Sequence, residues 1–327
     1  MINFDYAKAA TPQSAINTVS KDAKALFIAG GTNLVDLMKR GVMSPEKLVD
    51  ITNLDLKSVE QNGNVIRIGA LALNSAVAEN EMIKKQLPLL SQAFNAGASA
   101  QIRNMATVGG NMMQRTRCPY FYDTVMPCNK REPGTGCSAL QGYNRMHAIF
   151  GASDKCIAVH PSDMCVALAA LDASVLITGP ERTRKISFLD FHRLPGDNPE
   201  KDNNLQRSEL ITAIEVPVNA ALAKHSLYTK IRDRASYAFA LVSVAAALEM
   251  KGKKIQSARL AMGGVAHKPW RLTAAENFLK GKEASVANFQ QAASLAMKEA
   301  KGYGYNNFKL TMAPNTIVDT LKRLANV

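Results

Sequence analysis

Apolar and polar positions alternate along Val65-Ile66-Arg67-Ile68-Gly69, the two-residue period of a half-buried strand, just after a turn at Asn62-Gly63. Short apolar runs at 24–28, 48–51, 173–177 and 210–216 read as further strands, the last ending at Pro217. Helical spacing marks a start at Thr11-Pro12, with Ala15, Ile16 and Val19 on one face. It recurs from Leu34 to Arg40, with Gly41 as the stop, then from Ser75 to Lys85, Leu89 to Ala100, and Asp163 to Leu171. In the last third, Tyr228 to Arg232, Phe239 to Met250 and Ile255 to Gly263 read as strands, and the second run also fits a helix. Lys251–Lys254 is a hairpin turn, and helices follow at 273–279, 285–300 and 314–324.

Three stretches follow neither period. Glu181 to Lys185 reads as a charged hairpin tip, and Pro195 to Ser208 as an exposed polar loop. Cys118 to Cys156 is rich in Gly, Pro and Asn, and so long a structureless loop is uncommon unless something orders it. The pattern therefore divides the chain. An α/β unit at about 1–57 and a second at 58–218 carry a cysteine-bearing loop at 115–160, and a boundary falls at Asn219–Lys224. The remainder, 222–327, is an α+β domain with strands first and helices last. There is no fixed-period repeat.

Composition narrows the classes. No apolar run reaches the roughly 18–20 residues of a membrane span. No basic segment followed by an apolar one marks the N-terminus as a secretory signal. The expected location is therefore the cytoplasm, or the periplasm by co-export with a signal-bearing partner. A net charge of +13 fits nucleic acid, an acidic subunit or a phosphate-bearing cofactor. Aromatics are only 6 %, and no helix-turn-helix, zinc-finger spacing or RNP-like motif is visible, so the expectation is no nucleic acid. Five cysteines without a signal argue against disulfides.

Ile28-Ala29-Gly30-Gly31-Thr32-Asn33-Leu34 places two glycines between a strand and a helix. Such a turn lets the backbone approach a ligand and can aim successive N–H groups at an anion. Alone it is also consistent with a simple tight turn. Thr107-Val108-Gly109-Gly110-Asn111 repeats the pattern, and two such nests would grip the two phosphates of one dinucleotide. The spacing is neither G-x-G-x-x-G nor a phosphate loop.

Cys118, Cys128, Cys137 and Cys156 are separated by nine, eight and eighteen residues, unlike the closely paired cysteines of structural zinc. An iron–sulfur cluster, zinc and unliganded thiols all remain open on spacing. Tyr120, Phe121 and Tyr122 would shield such a centre or simply pack. Arg115, Arg117, Lys130 and Arg131 would offset charge or form a solvated face. Cys165 reads as a core thiol and His160, before Pro161, as structural. Asp163 either accepts from a ribose hydroxyl or caps the helix it opens. No Ser/His/Asp triad or H-E-x-x-H motif is present, so no catalytic residue is assigned and the hard chemistry falls to cofactors.

Phe27 to Leu34, Thr107 to Asn111 and His160-Pro161-Ser162-Asp163 resemble the FAD-binding subunit of molybdenum hydroxylases, the group of xanthine dehydrogenase, carbon monoxide dehydrogenase and aldehyde oxidoreductases. Glu209 to Thr212, Tyr228 to Arg232 and Gly263 to Ala266 extend the likeness over almost the whole chain. Arg115 to Asp123 and Arg232 to Phe239 look like the bacterial periplasmic aldehyde oxidoreductase branch, whose inserted loop carries a [4Fe-4S] cluster. The resemblance implies a two-subdomain FAD-binding fold of the xanthine dehydrogenase / vanillyl-alcohol-oxidase type plus the C-terminal α+β domain. It implies pyrophosphate contacts from Phe27, Ile28, Ala29, Gly30, Gly31, Thr32, Asn33 and Leu34, facing Thr107, Gly110 and Asn111. Asp163 would take the ribose region, Ile211 and Lys230 would lie near the flavin, and Cys118, Cys128, Cys137 and Cys156 would bind the cluster. Its implied partners are a large molybdenum-cofactor subunit, a small subunit with two [2Fe-2S] clusters, and an external electron acceptor. Aldehyde and water would become a carboxylic acid on the large subunit. The alternatives are the FAD subunit of another molybdenum hydroxylase (for xanthine, carbon monoxide or an N-heterocycle), a stand-alone flavin oxidoreductase, and a zinc-stapled nucleic-acid module.

Overall fold

The computed structural model describes all 327 residues. The first unit runs β1 (Asp5–Lys8), α1 (Pro12–Lys21), β2 (Ala25–Ile28), α2 (Leu34–Lys39) and β3 (Lys47–Asp50). The strands form a parallel sheet in the order β1-β3-β2. Thr11 starts α1 through a capping box: its hydroxyl accepts from Ser14 N–H at 3.1 Å, and Ser14 Oγ accepts from Thr11 N–H at 3.0 Å. Pro12 fits the first turn because that N–H needs no partner. Ala15, Ile16 and Val19 are buried, as their spacing predicts.

The second unit opens with the hairpin β4 (Val59–Asn62) and β5 (Val65–Gly69). The helix expected over 75–85 is two: α3 (Asn74–Glu79) and α4 (Glu81–Gln86). Asn80 breaks it, because its side chain caps Met82 and Ile83 N–H at 3.0 and 3.2 Å. The helix expected over 89–100 also divides, into α5 (Pro88–Ala96) and α6 (Ala100–Arg103), around Gly97 and the left-handed Ala98. Then come α7 (Val108–Met112), α8 (Pro119–Tyr122), α9 (Asp163–Ala170), β6 (Ser174–Thr178), β7 (Thr183–Ser187) and β8 (Leu210–Pro217). The sheet order is β4-β5-β8-β6-β7, all antiparallel. The segment 195–208 is not a purely solvated loop: Pro195 and Pro199 are buried and Asp202 pairs inward.

The last unit contains α10 (Ala220–Lys224), β9 (Ser226–Ile231), β10 (Val242–Lys251), β11 (Lys254–Gly263), β12 (Trp270–Arg271), α11 (Thr273–Leu279), α12 (Val286–Ala296) and α13 (Lys309–Ala325). Its sheet order is β12-β11-β10-β9, antiparallel. β10 reads as continuous apolar sequence because both its faces are covered. Ala245 and Ala247 join the core around α5 and α9, while Val242, Val244, Ala246 and Leu248 face α11 to α13. Small residues on the first face let α9 approach. Gly263 of β11 lies so close to Val166 that a Cβ there would overlap it. No helix is long and apolar enough to cross a membrane.

Candidate functional site

The first glycine pair forms the link from β2 to α2. Gly31 sits at φ +70°, a conformation side chains resist, and a Cβ on Gly30 would overlap the Met105 carbonyl. The N–H groups of Gly30, Gly31, Thr32 and Asn33 make no hydrogen bond within the chain. Four consecutive free donors are what an anion nest needs. Asn33 is fixed by accepting from Arg115 N–H at 2.9 Å on Oδ1, while its Nδ2 is buried without a partner.

The second pair is built differently. Val108 and Gly109 N–H donate to the carbonyls of Ala72 and Ala70 at 3.0 and 2.7 Å. Gly110 N–H donates to Thr107 Oγ1 at 3.2 Å and Asn111 N–H to Thr107 O at 2.8 Å. This turn is therefore not the second amide nest that its sequence suggests. It contributes a bare surface at Gly110 and the Asn111 amide, whose Oδ1 accepts from Ser162 Oγ at 2.9 Å.

Both turns open onto one cleft of about 600 Å³, lined by Thr32, Asn33, Gly110, Asn111, Ser162 and Asp163 among others. Its far wall is the 233–239 segment, where Tyr237 N–H donates to Ala98 O at 3.3 Å. Asp163 opens α9 and is held on both oxygens. Lys230 Nζ donates to Oδ2 at 2.8 Å and Tyr228 OH to Oδ1 at 2.7 Å, with all three side chains buried. Burial, then the Asp163 charge, drives the Tyr228 hydroxyl well above its ordinary range, so it stays a donor. Lys230 thus reaches the cleft through Asp163 rather than by lining it. Ile211 faces Ile177 across β8 and β6, in the core and outside the cleft wall. The remaining motif residues position these parts. Glu209 accepts both arms of Arg184 at 2.7 Å. Val265 O accepts from Ile149 and Phe150 N–H, and Ala266 O from His160 N–H, fixing the approach to Ser162.

Behind α2 lies the cysteine-bearing loop. Phe121 packs with Leu37 of α2 and Cys128. Cys118, Cys128, Cys137 and Cys156 line one narrow chamber. Burial pushes the Cys118 thiol up to about 12 and the Cys156 thiol to about 11, so these sulfurs ionise on taking a metal rather than as free nucleophiles. Asn129 ties the loop, accepting from Gly134 and Gly136 N–H and donating to Lys155 O. The basic residues are staples, not a solvated face. Arg131 donates to the Tyr120 and Phe121 carbonyls, both at 2.9 Å. Lys130 and Arg115 converge on Asp202, whose carboxyl they hold well below its usual range against the cost of burial. Cys165 is wholly buried in α9, beside His160 and His192.

Residues 2–219 match the family described as the FAD binding domain in molybdopterin dehydrogenase, and residues 226–323 the CO dehydrogenase flavoprotein C-terminal domain. The chain belongs to this family of FAD-binding subunits, and is an oxidoreductase subunit. It is 46 % identical over 97 % of both chains to the aldehyde oxidoreductase FAD-binding subunit PaoB of Escherichia coli. It is 30 % identical to the glyceraldehyde dehydrogenase medium chain of Sulfolobus acidocaldarius, over 86 % of this chain and 82 % of that one. The fold superposes on the CO dehydrogenase of Oligotropha carboxidovorans with TM-score 0.78, at 24 % identity, covering 100 % of this chain and 99 % of that one.

The cleft fits the family's FAD. Free amides await an anion, and Asn33 Nδ2, Asn74 Oδ1 and Arg117 Nε are buried there without partners. Asn74, Arg103 and Gln114 carry no motif that marks them in the sequence, because only the tertiary fold brings them to this wall; Arg117, expected there as an offsetting charge, lines it as well.

Proposed function

We propose that this chain is the FAD- and [4Fe-4S]-binding electron-transfer subunit of a molybdenum-dependent aldehyde oxidoreductase. The flavin carries one- and two-electron chemistry when bound, and the cluster adds a one-electron centre. The carrying observation is the row of four unpartnered amides from Gly30 to Asn33, whose last two residues line a cleft of about 600 Å³. These amides and the start of α2 hold the pyrophosphate, with Phe27, Ile28 and Ala29 setting the strand end and Leu34 the first helical turn. Thr107 shapes the opposite turn, Gly110 lets the ligand approach, and Asn111 donates from its amide. Asp163 keeps lone pairs free for a ribose hydroxyl while Lys230 and Tyr228 hold it in place.

The cysteine chamber supports the cluster. Four thiols of one loop line it together, the donor set that an iron–sulfur cluster takes. The aldehyde assignment rests on the similarity to PaoB and to the glyceraldehyde dehydrogenase medium chain. Both names describe parts of larger enzymes, so the reading includes a large molybdenum-cofactor subunit, a small [2Fe-2S] subunit and an external acceptor. In the intact complex, added aldehyde should bleach the flavin absorption, and the isolated chain should show no such response. Aldehyde-dependent bleaching by the isolated chain would contradict the proposal.

A further inference from the structure

His147 meets the cysteine chamber from outside. Its Nε2 lies 3.1 Å from Cys118 Sγ, and its Nδ1 is buried with no hydrogen-bond partner. The backbone that carries the ring is pinned: Lys309 Nζ donates to His147 O at 2.9 Å, and His147 N–H donates to Asn144 O at 3.0 Å. When the ring carries a single proton, one nitrogen or the other bears it. A proton on Nδ1 would leave a buried donor without an acceptor and turn a lone pair toward a coordinating thiolate. A proton on Nε2 removes both penalties and points a donor at the sulfur. His147 also marks a boundary. Cys118 belongs both to the chamber wall and to a cavity of about 90 Å³ that His147, Met146, Ser162 and Asp163 line. Met146, Ser162 and Asp163 line the FAD cleft as well.

Resting on the four-cysteine reading above, we infer that His147 donates its Nε2–H to the Cys118 sulfur, raising the reduction potential of the cluster on the side that faces the flavin. A donor to a cluster sulfur favours the reduced form, which carries the more negative charge. His147 is thus a positioning and tuning residue, not a ligand.

The test uses the intact complex with wild-type, His147→Leu and His147→Gln chains. Iron and acid-labile sulfide are counted, and the cluster is titrated against potential by EPR. All three should hold the same iron. The Leu variant should titrate at a lower potential, and the Gln variant, whose Nε2 can occupy the same place, should stay near wild type. A Leu variant with full iron and an unmoved potential overturns the inference. Should Leu lose the cluster, pulsed EPR on wild type carrying isotopically labelled histidine decides. Weak nitrogen coupling supports the hydrogen bond, whereas no coupling, or the strong coupling of a ligand, overturns it. Wild-type complex without iron and sulfide on this chain would instead defeat the four-cysteine reading itself.

Discussion

At the residue scale, two look-alike glycine pairs do different work. The amides of Gly30 to Asn33 are free, while those of Val108 to Asn111 are spent on Ala70, Ala72 and Thr107. The sequence shows the glycines in both places but not the partners, which for Val108 and Gly109 lie 36 and 39 residues earlier in the chain, at Ala72 and Ala70. The cysteines carry the same lesson. Four of the five converge on one chamber despite irregular spacing, and the fifth, Cys165, lies in the core as its apolar neighbours suggest. Cys128→Ser should therefore lose the iron and loosen the loop that Asn129 ties, whereas Cys165→Ser should keep it. Iron analysis on the two purified variants checks this, and equal loss in both would refute the ligand assignment.

At the element scale, α9 is the pivot. It places Asp163 at the cleft, packs Val166 on Gly263 and buries every residue from Asp163 to Ala170. The ion pair at its start bridges to β9 through Lys230. Lys230→Met removes one partner and leaves a buried carboxylate with Tyr228 alone, a change that costs about 3–5 kcal/mol. Chemical denaturation should show that loss together with weaker FAD retention, and a change below about 1 kcal/mol would show the pair to be dispensable. Strand periods were legible in the sequence wherever one face is wet, as along Val65 to Gly69. They were ambiguous for β10 because both faces are covered, and a run apolar throughout has no period to read. Helix ends at Asn80 and Ala98 were missed because a side-chain cap and a left-handed residue interrupt otherwise regular patterns.

At the scale of the whole molecule, buried histidines tie segments far apart in the chain: His192 Nε2 meets Met112 O at 2.9 Å and His267 Nδ1 meets Arg193 O at 2.8 Å. Burial, opposed by local hydrogen bonds, holds His192 and His267 at about 4 and His160 well below its ordinary value. An unfolded histidine titrates near ~6.5. The unfolded chain therefore binds more protons between roughly pH 6.5 and 4. These histidines contribute stability that is fully present above about pH 6.5 and is lost as pH falls through that window. Urea unfolding across it should show stability falling by at most about 1.4 kcal/mol per pH unit for each such histidine, and His192→Phe should flatten the slope. An unchanged slope would mean that another group governs acid lability. The central claim is that one chain clasps a flavin diphosphate on free amides and holds an iron–sulfur centre on four cysteines beside it. Counting FAD, iron and acid-labile sulfide on the anaerobically purified subunit tests it most directly. The expected ratio is that of a single FAD and a single [4Fe-4S] cluster per chain; zinc in place of iron, or no flavin after reconstitution, would contradict it.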